Sequence, residues 1–182
     1  MRPTKNNLVT TIPYFSKEYK VEVQVKPISF SSSHLTNIIH FSTDVRNSIG
    51  YYICAISVST HRWVIYSNGR GIGSNIQPQP KNIAKVNEWM NITISQLREL
   101  NGYNYSVMFD DILIHSEWSS YPEEFYNVKV YASSDEDTAF NGYVRMLSCY
   151  VIDVDAPGSY ALSYNLSVRR DWLGNGFMFL VN

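Results

Sequence analysis

Carboxylates and histidines are the residues in this chain with the most direct claim to chemistry. Hydrolysis of a glycosidic bond needs an acid and a nucleophile or base flanking it, and so a pair of acids facing one cleft. Glu123-Glu124 stands just before a strand-like run, and Asp135-Glu136-Asp137 falls in a loop, so neither supplies such a pair on one strand. Four scattered histidines, His34, His40, His61 and His115, offer bases. No Ser or Cys stands in a nucleophile-elbow context for them to activate. Gly69-Arg70-Gly71-Ile72-Gly73 has the glycines of a phosphate loop but lacks the Lys-Ser/Thr and the helix that aim amides at phosphate. The expectation is that the chain is not an enzyme.

Binding chemistry is better represented. Sugar rings stack on exposed aromatic faces, while amides and carboxylates take the hydroxyls. Trp118 and Tyr121, with Pro122, form one such rim; Trp63 and Tyr66, with Asn68, form a second. Trp172, beside Arg170 and Asp171 and near Asn175, forms a third. Asn91, Asn104 and Asn165 head N-x-Ser/Thr sequons, each on the polar side of its run. Cys54 and Cys149 lie in apolar runs and read as buried thiols or, alternatively, as a disulfide between strands. There is no CxxC, which argues against a zinc site built on these thiols.

Positioning these groups requires elements, and the chain is patterned for strands. Val21, Val23 and Val25 alternate with Glu22, Gln24 and Lys26; Met90, Ile92 and Ile94 alternate with Asn91 and Thr93. Tyr103, Tyr105, Val107 and Phe109 alternate with Asn104, Ser106 and Met108, and a similar run spans Tyr160 to Val168. Period-two alternation with one polar face is the mark of antiparallel strands packed on a core from one side. Further strands are predicted at Leu35–Ser42, Tyr51–Ser59, Arg62–Tyr66, Phe125–Ala132, Tyr143–Val154 and Gly176–Val181, with one short helical candidate at Ser95–Leu100. Asn68-Gly69, Asn101-Gly102, Asn141-Gly142, Pro157-Gly158 and Asn175-Gly176 punctuate the runs as turns, and Asp110-Asp111 reads as a hairpin tip. About a dozen short strands so spaced predict an all-β, antiparallel sandwich.

Composition agrees with that architecture. The 182 residues are 45% hydrophobic and 14% aromatic, enough for one core, and 14 tyrosines against 5 methionines suit pleated sheets. Formal net charge is −1 and no basic run exceeds Arg169-Arg170, so nucleic acid is not an expected partner. The longest apolar stretch, Tyr51 to Val58, is too short for a membrane-spanning helix.

The order of motifs in the middle of the chain resembles the second half of laminin-G-like and concanavalin A-like lectin domains. It runs Trp89-Met-Asn-Ile-Thr-Ile-Ser-Gln, then Gly102-Tyr-Asn-Tyr-Ser-Val-Met-Phe-Asp-Asp-Ile, then Tyr121-Pro-Glu-Glu-Phe-Tyr-Asn-Val-Lys-Val-Tyr-Ala-Ser, then Gly142-Tyr-Val-Arg-Met-Leu. The likeness covers about residues 8–150 of a domain spanning 1–182, leaving 155–182 as extra strands. Asp111-Ile112 replaces the family's Asp-Gly, which predicts a hairpin turn of another type.

The resemblance implies a jelly roll of an extracellular protein, as in invertebrate animals, with Trp89 in the core. It implies calcium at one rim, for which Asp110, Asp111, Asp135 and Asp137 are the oxygen donors available. It also implies a lectin-like module that recognises a glycan or glycoprotein. Jelly-roll polysaccharide lyases carry three catalytic strand motifs, of which Gln96–Leu100 echoes only the first. Two alternatives stay open: a protein-interaction or adhesion domain without sugar, and a carrier of a small apolar ligand such as a lipid or pigment. Homo-oligomers are compatible with all three. Met1–Asn7 carries no apolar signal core, so secretion would require a leader outside this numbering.

Overall fold

The computed structural model describes residues 7–30, 35–43, 52–59, 62–67, 85–119, 122–132, 138–153, 160–168 and 179–181. Among them every regular element is a strand, and no helix is long and apolar enough to cross a membrane. One sheet takes the order β1 (Asn7–Phe15), β9 (Phe125–Ala132), β3 (Thr36–Ser42), β4 (Tyr52–Ser59) and β5 (Arg62–Ser67), with the two-residue β10 (Thr138–Ala139) parallel to β3. The other takes the order β13 (Phe179–Val181), β12 (Tyr160–Val168), β11 (Gly142–Asp153), β2 (Glu18–Pro27), β6 (Met90–Glu99), β7 (Gly102–Phe109) and β8 (Ile112–Ser119). β12 and β13 extend this second, seven-stranded sheet beyond β11.

The two sheets share one apolar interior. Val21, Val23 and Val25 of β2, Ile92 and Ile94 of β6 and Val107 and Phe109 of β7 belong to the same buried cluster as Ile12, Ile39, Phe41, Ile56, Ile65, Val128 and Val130 of the opposite sheet. Period-two alternation places each set on one face, and burying that face drives the sandwich together. Trp63 is only 2% exposed and meets Phe109 edge-on across the interior, with ring centroids 5.6 Å apart. Phe15 meets Phe41 edge-on at 5.9 Å and Tyr19 in a tilted arrangement at 4.8 Å.

Three sequence expectations are corrected here. Ser95–Leu100 is not helical: β6 continues to Glu99, with Gln96 paired to Tyr19 on one side and Tyr105 on the other. Two flanking ladders supply the backbone hydrogen bonds that a lone helical turn would have to supply by itself. The β7–β8 hairpin keeps the geometry that Asp-Gly would adopt: Phe109 pairs with Ile112, and both loop residues have positive φ, 46° at Asp110 and 65° at Asp111. This is the backbone demanded by a type I′ turn, and Asp tolerates it better than most residues. Cys54 and Cys149 are free thiols, so the disulfide alternative does not hold. Both are fully buried on strands of opposite sheets; desolvation pushes the Cys54 pKa up to about 12 and that of Cys149 up as well, with Cys54 adding to the latter.

Candidate functional site

The outward side of the seven-stranded sheet is built from the polar half of the alternation. Across β11, β2 and β6 the register aligns Arg145 with Gln24 and Asn91, and one step along aligns Ser148 with Glu22 and Thr93. A bulge makes this alignment: between Arg145 and Ser148, β11 carries one residue more than β2. The extra residue reverses the facing of everything after it. Val144, Cys149 and Val151 therefore all point into the core, although an unbroken alternation from Val144 would send Cys149 and Val151 outward.

Glu22, Val23, Gln24, Asn91, Ile92, Thr93, Asp111 and Ser148 line a shallow recess of about 160 Å³ on this side. Its polar groups are braced. Ser148 Oγ donates to Glu22 Oε2 at 3.2 Å, and Lys20 pairs with Glu22 Oε1. Arg145 Nε donates to Gln24 Oε1 at 2.8 Å, and its guanidinium lies 3.9 Å from the centroid of the Trp89 ring. The hairpin tip closes one end: Asp110 Oδ1 accepts from the Asn91 amide at 2.8 Å, while the Asp110 amide donates to the Asn91 carbonyl at 2.9 Å. Asn87, at φ 66°, donates its amide to the Pro27 carbonyl at 2.7 Å and pins the chain as it enters β6 beside Trp89.

Towards β8 the same face continues as a hydroxyl and amide belt. Ser95 Oγ and Ser106 Oγ are 2.8 Å apart, Ser116 Oγ donates to Asn104 Oδ1 at 2.8 Å, and Asn104 Nδ2 donates to Glu99 Oε1 at 2.9 Å. Trp118 lies opposite Asn104 and is 51% exposed. Hydroxyls, amides, carboxylates and an aromatic plate on one rigid sheet are the groups that bind polyhydroxylated ligands.

The sequence-predicted site residues separate into three groups. Trp118 is an exposed aromatic, as a stacking role requires. Trp63 is not: it is core, because its strand turns the indole onto Phe109. Tyr121, Asn68, Trp172, Arg170, Asp171 and Asn175 lie outside the described residues, as do Asp135 and Asp137; Tyr66 sits in β5, but its side chain lies outside them too. Trp89, expected in the core from the resemblance, is 36% exposed and carries Arg145 on its ring.

Asp110 and Asp111 stand together at the hairpin tip, with Asp110 engaged by the Asn91 backbone. Among the described residues no three His, Cys, Asp or Glu side chains converge as a metal set. Asn91 and Asn104 both lie on the outer sheet face, so a glycan on Asn91 would fill the recess; Asn165 is in β12, opposite Ser148. His40 is buried with its ring stacked on Tyr131, and His115 Nε2 lies 3.4 Å from Glu117 Oε2. Glu124 pairs with Lys17 at 3.4 Å. Glu22, Gln24, Thr93, Arg145 and Ser148 were not singled out by sequence; their one signal was membership of the polar half of their strands.

No family model matches the chain, and no curated protein is similar to it in sequence. Solved structures are similar in fold. A heptameric SAP-like pentraxin from Limulus polyphemus aligns over 81% of this chain and 73% of its own, at 10% identity and a TM-score of 0.55. Domain 4 of an extracellular arabinanase from Geobacillus stearothermophilus, solved with arabinotriose, aligns over 78% and 65%, at 18% identity and 0.51. The receptor-binding domain of botulinum neurotoxin type G aligns over 78% and 40%, at 13% identity and 0.50. The fold is a concanavalin A-like jelly-roll sandwich.

Proposed function

We propose that this chain is a non-catalytic, extracellular binding module that recognises carbohydrate on the outer face of its seven-stranded sheet. The observation that carries the reading is the braced polar recess at Glu22, Gln24, Asn91, Thr93 and Ser148, on a face that also carries the exposed Trp118. Preformed hydrogen-bonding groups on strands lose little entropy when a sugar displaces water from them, and an indole face supplies stacking. The arabinanase domain with the same fold was solved with arabinotriose bound, which supports a sugar as the ligand class. Calcium at the Asp110–Asp111 tip remains part of this reading, with removal by EDTA expected to weaken sugar binding and leave the strands intact.

A glycan array followed by titration calorimetry tests it. Binding should appear for at least one oligosaccharide and fall on Asn91→Ala or Trp118→Ala with the urea midpoint held. An array without any hit would overturn the reading. A second reading, protein contact, is favoured by one feature: Ile112 and Leu113, 66% and 55% exposed, begin the edge strand β8.

A further inference from the structure

Arg145 is held in an unusual way for an exposed arginine. Its Nε is tied to a neutral amide, Gln24 Oε1, and its Cζ lies over the Trp89 ring, so the side chain is anchored both by a hydrogen bond and by the indole. Among the described residues no carboxylate pairs with it. The acid nearest in register, Glu22, has its oxygens engaged by Lys20 and Ser148. Lys26, further along β2 and opposite Tyr143, adds positive charge on the same face. The two terminal nitrogens of Arg145 therefore present a planar fork that no carboxylate among the described residues engages.

A guanidinium fork matches a carboxylate in bidentate geometry, and fixing it beforehand removes the entropy cost of ordering it on binding. Resting on the proposed carbohydrate reading of this face, we infer that the ligand is an acidic sugar whose carboxylate seats on Arg145. Its hydroxyls then reach the recess at Asn91, Thr93 and Asp111, where the Asp111 carboxylate accepts them. A neutral sugar would leave the fork unused.

The test compares trigalacturonate with its methyl ester, which removes the charge and adds only the ester methyls, and adds sialyllactose to separate a carboxylate within a chain from a terminal one. Trigalacturonate, sialyllactose or both should bind at least tenfold tighter than the ester, and raising the salt concentration should weaken that binding. Arg145→Ala should cost the preferred acid about tenfold to a hundredfold, the range for a hydrogen bond to a charged group. Arg145→Lys, which keeps charge but not the fork, should restore only part. Urea midpoints should move little, since Arg145 is exposed. If the methyl ester binds as tightly as the acid, or Arg145→Ala leaves acid binding unchanged, the inference fails while the carbohydrate reading stands. If none of the three sugars binds, the inference fails, and the array decides the reading it rests on.

Discussion

The outer faces of the two sheets come from the same alternation and end in opposite states. On the six-stranded sheet, Asn37, His40 and Ser57 are 2%, 6% and 1% exposed. They satisfy one another: Asn37 Nδ2 donates to Ser57 Oγ at 3.2 Å, and His40 Nδ1 lies 3.3 Å from Asn37 Oδ1. On the seven-stranded sheet, Gln24, Asn91 and Arg145 are open to solvent on one side and braced on the other. A polar side chain on a strand's second face thus has two destinations. Buried and mutually bonded, it specifies packing; open and braced, it is available to a ligand.

The contrast can be attacked at four positions. Trp63→Ala sets the scale, because it empties the interior both sheets share: a loss of about 3–5 kcal/mol in urea unfolding is expected from the lost contacts and the cavity. A loss below 1 kcal/mol would mean the indole is not core. Asn37→Ala should cost about 1–3 kcal/mol, since it removes the amide that bonds the buried Ser57 hydroxyl and faces the buried His40 ring. If it proves neutral, the closed face is as open as the other one. Trp89→Ala comes third, at about 1–2 kcal/mol, for an indole still partly buried whose Arg145 contact contributes only about 0.5–1 kcal/mol. Trp118→Ala should shift stability by no more than about 0.5 kcal/mol while removing about 2 kcal/mol or more of sugar affinity. Destabilisation on the Trp63 scale would instead place Trp118 in the core.

These positions also measure how far the residues alone could lead. The all-β class, most strand positions and the hairpin tip at Asp110-Asp111 were legible, because alternation and turn chemistry are local and repeat along the chain. The distribution of tryptophans was not. Trp63 and Trp118 sit in similar mixed runs, and only the opposing sheet, which brings Phe109 to one and solvent to the other, distinguishes them.

The recess was still less legible. Glu22, Gln24, Asn91 and Arg145 are ordinary polar residues in three separated stretches of sequence, and only strand order makes them neighbours. Their alignment with Ser148 depends further on the β11 bulge, a single extra residue that reverses the face of every side chain after it. Sequence periodicity determined that each strand would have a polar face, since that needs only the pleat. Which polar faces met, and which stayed open to water, was decided by pairing and register, which depend on contacts between residues far apart in the chain.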